Sequence, residues 1–231
     1  MADVRRNQRN LSQADWTDLL AAIDAMHGIK AKAPAYRAFV NLHVQAMSMS
    51  RMSSWGVHFM GGSVSDGRNF LAWHRRYLRQ FELRLQREHP GTTVPYWDWV
   101  TDRTPPGSLS TPARLTSWSV TRSWNPTLLP TAAELTAVTA IPDFATFQFA
   151  LEHVHDRVHA AVGGNMDSPS SPSDPLFFLH HANIDRLWDQ WQQSHPGSGP
   201  SNPNEKLQAP PIQGVKASTM LSTAQVGYSY I

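Results

Sequence analysis

Five of the chain's eleven histidines fall in two short clusters between Leu151 and Trp191, and their spacing limits what this chain can become. His155 and His159 are four apart, so on a helix they stack on one face. That face also carries Phe144, Phe147, Leu151 and Val162, at the three-and-four spacing of a buried stripe. After a turn-rich segment, Phe177, Phe178, His181, Ile184, Trp188 and Trp191 form a second such stripe with His181 on it. A lone His on an apolar stripe is usually a satisfied core residue. Three imidazoles converging inside a protein point instead to a metal, for which imidazole is the commonest ligand.

The same logic recurs upstream. Pro34 opens a helix with Tyr36, Phe39, Val40, His43 and Met47 on one stripe. Phe70 to Gln86 reads as another, with Leu71, His74, Tyr77, Leu78, Phe81 and Leu85 inward. The irregular, Gly-rich segment from Ser48 to Asn69 places His58 between them. His43, His58 and His74 are therefore a second potential trio. A first helix starts at Ser12, with Asp15 completing a capping box and Leu11 set to staple on Trp16. It ends near Met26 and His27, where an imidazolium would complement the helix dipole. Thr101 to Pro142 is a long excursion rich in Ser, Thr and Pro, with one short helix at the capping box Thr131–Glu134. The segment from His195 onward is a loop-rich tail.

Composition removes several function classes. With 231 residues, nine Trp and nine Phe, residues 1–231 form one domain with a sizeable core. The formal charge is only +2, and arginines such as Arg79, Arg84 and Arg87 alternate with Glu82 and Glu88. A solvated helix face is expected there, and no nucleic-acid partner. There is no Cys, which rules out disulfides, thiolate metal sites and a Cys nucleophile. No stretch has the length of a membrane span, and MADVRRNQRN lacks the apolar run of a signal peptide. The expectation is a cytoplasmic protein, or one exported only with a signal-bearing partner.

Two all-histidine trios suit copper, zinc or iron and disfavour calcium and magnesium. Di-iron bundles take a Glu-x-x-His motif from each of two helices, and Glu152-x-x-His155 is the only match here. A mononuclear zinc site would leave one trio idle. A copper pair uses both.

The stretches FLAWHRRYL (Phe70 to Leu78), PYWDW (Pro95 to Trp99), HDRVH with GGNM (His155 to Met166) and DPLFFLHHANIDRLW (Asp174 to Trp188) resemble the tyrosinase family of type-3 copper proteins. The likeness runs from Val4-Arg5-Arg6-Asn7 to Tyr228-x-Tyr230, which in that family closes the catalytic core. The resemblance implies a mainly α fold, a four-helix bundle with long irregular loops and few short strands, holding two copper ions that bind dioxygen. It implies oxidation of phenols or o-diphenols to o-quinones, as tyrosinase or catechol oxidase. An o-aminophenol oxidase is the near alternative, and a haemocyanin-like oxygen carrier the alternative from another class. A structural bundle with merely buried histidines ranks below both.

Carried over, the resemblance assigns His155, His159 and His181 to the second copper and His43 and His74 to the first. The family's loop ligand usually lies nine residues before the His of the WHR motif, where this chain has Ser65, so His58 is taken as the replacement. His180, beside His181, is expected to pack against the site, and Asp185 and Arg186 to brace its helices. Where monophenol-using members often carry an Asn after the first histidine of the second site, this chain has Asp156. Glu152 matches the upstream Glu that helps hold a basic water, and Ser168 falls where a residue overhangs the copper pair, a small one leaving the entrance open. The chain closes at Tyr228-x-Tyr230, so no covering domain is expected in cis. Beside the phenolic substrate and O2, the partner that the resemblance implies is a helper protein that delivers copper.

Overall fold

The Ser12 capping box forms as its spacing predicts. Ser12 Oγ accepts from the Asp15 backbone N–H at 3.1 Å, and Asp15 Oδ2 accepts from that of Ser12 at 2.8 Å. Helix α1 (Gln13–His27) starts there and buries Trp16, Leu19, Leu20, Ile23 and Met26. This computed structural model describes residues 3–28, 35–49, 56–62, 66–207 and 214–231. Pro34 and Ser65 lie outside the described residues.

Four long helices follow the two pairs of stripes: α2 (Ala35–Met49), α3 (Phe70–Glu88), α6 (Phe144–Val162) and α7 (Leu176–Ser194). Between α3 and α6 the excursion holds two short helices, α4 (Pro112–Ser117) and α5 (Ala132–Thr139). The sequence reading expected one. The overlooked signal was Pro112, which takes the first position of α4, where its missing N–H has no partner to lose. Both halves of the Thr131–Glu134 box are present at α5.

Aromatic contacts lock the bundle. Phe81 of α3 stacks on Phe178 of α7 with ring centres 3.4 Å apart, and Tyr36 and Phe39 of α2 meet Phe81 edge-on. Phe147 of α6 stacks on Trp191 of α7 at 4.4 Å. Each buried ring removes a large apolar surface from water, worth about 1.5–3 kcal/mol for a Phe side chain. No described helix is long and apolar enough to cross a membrane.

The chain's two ends meet. Strands β1 (Asp3–Arg5) and β2 (Tyr228–Tyr230), the latter following the short helix α8 (Thr223–Val226), pair in parallel. Arg5, fully buried, forms a two-pronged ion pair with Glu82 of α3 and reaches Asp185 of α7. Glu82 and Arg79 are thus inside this network and not on a solvated face, a correction to the sequence reading. Residues seventy-odd positions apart made the pairing invisible to local charge patterning. His27 is a second correction. It stacks on Tyr36 at 3.9 Å, and burial pushes its pKa down to about 4, so at neutral pH it carries no charge to complement the helix dipole.

Candidate metal centre

His155 and His159 sit one turn apart on α6, and each has one ring nitrogen committed to an anchor. His155 Nδ1 donates to Asp156 Oδ1 at 3.0 Å, and His159 Nδ1 donates to the Met166 carbonyl at 2.6 Å. The second contact depends on Gly163 and Gly164, both at positive φ, which end α6 and turn the chain back. A Cβ at Gly164 would strike the Thr121 carbonyl. With Nδ1 used as donor, each Nε2 presents a lone pair, and both face Nε2 of His181 on α7, at 3.1 and 3.4 Å. One nitrogen can donate one proton at most, so these contacts do not satisfy all three as hydrogen bonds. A cation does. Three nitrogens bound at about 2.0–2.1 Å around a tetrahedral ion lie about 3.3 Å apart.

The second trio repeats the arrangement. His43 Nδ1 donates to the Pro169 carbonyl at 2.8 Å, His74 Nδ1 to the Phe70 carbonyl at 2.8 Å, and His58 Nδ1 to Glu152 Oε1 at 3.2 Å. Their Nε2 atoms are buried and have no partner among the described residues. Ligand atoms of His43, His58 and His74 all lie within 4.8 Å of one another. Outward anchoring of Nδ1 fixes the tautomer and aims the lone pair inward, which is how protein metal sites hold imidazole. Burial drives the pKa of His43, His74, His155 and His181 well below the usual 6.5, and that of His159 to about 4. All five are therefore neutral and ready to ligate at neutral pH. The two trios adjoin, for the His74 and His181 rings stack at 4.4 Å.

Beside them lies a cavity of about 310 Å³ lined by His43, His58, His155 and His159, with Asp156, Ser168, Met47 and Met166 on its walls. Two all-imidazole groups able to hold a metal thus stand beside a ligand-sized cleft. The common central domain of tyrosinase matches residues 33–130 and 111–194. A tyrosinase of Streptomyces glaucescens is 36% identical over 248 residues, covering 85% of each chain. The chain belongs to the tyrosinase family. Among solved structures, a functional unit of octopus haemocyanin superposes with a TM-score of 0.70 at 21% identity, covering 99% of this chain and 68% of that one. A polyphenol oxidase of Thermothelomyces thermophila gives 0.70 at 18% identity, with 100% and 89% covered. These two show the shared helical fold.

Membership in the tyrosinase family makes this a copper oxidoreductase, and the donor set among the described residues fits that metal: imidazoles, with no carboxylate in either group and no Cys in the chain. His180 also lies with the second trio, but its Nδ1 accepts from the Trp99 indole N–H at 3.2 Å, so Nε2 carries its proton. It stacks on His155 and walls the site. His153 is exposed, and its Nδ1 meets the Phe149 carbonyl. Asp156 stands at the cavity wall with 61% of its side chain exposed. Ser168 lines the cavity with its hydroxyl tied to the Asn165 carbonyl at 2.8 Å. Glu152 is 2% exposed, turned toward His58 and away from the cavity, with its carboxyl pKa raised by burial. Asp185 braces α7 against Arg75 of α3, next to His74, while Arg186 pairs with Asp98.

Sequence reasoning missed the backbone anchors. The carbonyls of Phe70, Met166 and Pro169 carry no side-chain signature, although the Gly163-Gly164 pair and Pro169 mark the turns that deliver two of them.

Proposed function

We propose that this protein is a dicopper oxidase that uses O2 to convert phenols and o-diphenols to o-quinones. The observation carrying the reading is the pair of adjoining histidine trios, each with its Nε2 atoms aimed inward beside an open cavity. In this reading His43, His58 and His74 hold one copper, and His155, His159 and His181 the other. When bound, the copper pair supplies the electrons that reduce dioxygen and the Lewis acidity that favours a phenolate over a phenol.

The protein's own groups do the rest. Met47 and Met166 offer adaptable, polarizable walls for a flat aromatic ring. Asp156 is the acceptor for the phenolic proton. Its Oδ1 receives the His155 N–H, which leaves the second carboxylate oxygen for the substrate. Ser168 keeps the entrance wide because it is small and its hydroxyl is folded back onto its own loop. That open wall disfavours an oxygen carrier, which needs its metals shielded from reductants. Copper delivery by a separate helper protein belongs to the same reading, and complete loading from dissolved copper salts would remove the need for one.

The test is oxygen uptake by the copper-loaded protein, with a monophenol and its matching o-diphenol in parallel. Uptake on both is expected. Uptake on the diphenol alone would restrict the protein to catechol oxidation, and o-aminophenols would be the next substrates. Reversible oxygen binding with turnover of none of these would overturn the oxidase reading in favour of a carrier.

A further inference from the structure

His58 reaches the first trio from an irregular segment, whereas the other five histidines sit on helices, where backbone hydrogen bonds fix their position. A ligand on a loop must be held by something else, and α6 supplies it. Gln148 and Glu152, one turn apart and both buried, face His58, Phe59 and Gly67 of that segment. Gln148 Nε2 donates to the Gly67 carbonyl at 2.9 Å, and its Oε1 accepts from the Leu71 N–H at 3.3 Å, pinning the segment where it enters α3. Glu152 Oε1 accepts from the Phe59 backbone N–H at 2.9 Å and from His58 Nδ1 at 3.2 Å. One carboxylate oxygen thus grips both the imidazole and the backbone of the next residue. The Phe59 ring seats on Phe149 at 4.8 Å, on the same helix. Gly67 completes the fit, since a Cβ there would run into the Glu152 carboxylate and come within 3.0 Å of Phe59 N.

We infer that Glu152 is a positioning residue that makes His58 a metal ligand, and not the proton acceptor for substrate. The inference rests on the dicopper reading. Geometry separates the two roles. The carboxylate is buried behind His58 and absent from the cavity lining, while its two donors among the described residues belong to the segment that carries His58. An anchor removed from behind a ligating imidazole typically lowers metal affinity 10–100-fold, because the ring no longer holds its tautomer and direction.

The experiment compares wild type, Glu152→Gln, Glu152→Ala and Gly67→Ala for copper per chain, for the rate of copper loss to a chelator, and for the EPR signal of isolated oxidised copper. Wild type holding two coppers is the control for the dicopper reading, and failure there would indict that reading alone. The expected result is copper falling from two toward one per chain. Loss from the first trio should be about 10–100-fold faster in Glu152→Ala and intermediate in Glu152→Gln, which keeps an acceptor oxygen. The copper left on His155, His159 and His181 should appear as an isolated ion. Gly67→Ala leaves the carboxyl chemistry intact but displaces it, and should behave like Glu152→Ala. Two tightly held coppers in Glu152→Gln and Gly67→Ala, with turnover of monophenol lost, would overturn the inference and return Glu152 to proton transfer.

Discussion

Nε2 of His155 and Nε2 of His181 face each other across 3.1 Å, while Nδ1 of His155 is already committed to Asp156. His181 Nε2 can donate its proton to only one of His155 Nε2 and His159 Nε2, at 3.1 and 3.4 Å, so without a metal one buried lone pair stays unbridged. Metal binding relieves it, so folding and metal occupancy are linked. Copper at a hundred times its dissociation constant should stabilise the fold by about 2.7 kcal/mol, or roughly 5–10 °C in thermal midpoint for a chain of this size. His181→Ala should lower copper from two per chain to one and shrink that gain. Equal midpoints for metal-free and copper-loaded wild type would count against a buried dinuclear site.

Acid should destabilise the metal-free protein well above the range where carboxylates titrate. Burial holds His43, His74, His155, His180 and His181 far below their usual pKa of 6.5, and His159 near 4. Between pH 6.5 and about 4 the unfolded chain therefore binds protons that the native state refuses, so stability rises with pH across that window and is lost on going down through it. Each such group contributes up to about 1.4 kcal/mol per pH unit. Urea titrations of the metal-free protein at pH 7 and pH 5 should show a clear drop at the lower pH. Unchanged stability would mean that the cluster is open to water.

Asp185 should be the most sensitive polar position away from the metals. It accepts from Arg75 at 2.5 Å, Arg5 at 3.3 Å, Tyr228 at 2.5 Å and Tyr230 at 2.6 Å. Burial alone would raise its pKa, but the Arg75 and Arg5 guanidiniums hold it below the usual carboxylate range. Asp185→Asn removes the charge while leaving two buried arginines in place, a loss of about 3–5 kcal/mol. Because Arg75 follows His74 and Asp185 lies one turn beyond His181, copper retention should weaken along with stability. A change below about 1 kcal/mol in urea unfolding would show that the network is dispensable.

The histidine stripes were legible because helical periodicity is local: residues three and four apart share a face whatever the rest of the chain does. The four long helices and the five helical histidines of the two trios follow from that, while His58 does not. The terminal clamp was not legible, since Arg5, Glu82, Asp185 and Tyr228 are brought together only by the tertiary fold, and Glu82 read locally as one charge on a solvated face. The environment of Glu152 was hidden for a related reason. Its partners His58 and Phe59 lie on an irregular segment with no period to phase it, so a sequence pattern cannot say that the carboxylate is buried behind a ligand. His27 misled because position near a helix end predicts a charge–dipole contact, whereas stacking on Tyr36 keeps the ring neutral.

Asp156 offers the sharpest test of substrate range. It occupies the cavity wall beside His155, its side chain is largely exposed, and it brings a negative charge where a neutral amide would bring none. A carboxylate takes a proton from a phenol directly but repels the phenolate that results, so it aids the proton transfer and opposes binding of the anion. Asp156→Asn should keep two coppers, since Asn retains an oxygen to accept from His155 Nδ1. Its effect should divide by substrate. Turnover of monophenol should fall about 100-fold or more, in the range of a lost general base, while o-diphenol turnover moves only a few-fold. Parallel oxygen-uptake assays on the two substrates measure that ratio. A fall in both by the same factor would show that Asp156 acts through His155 and the metal, and would remove it as the proton acceptor.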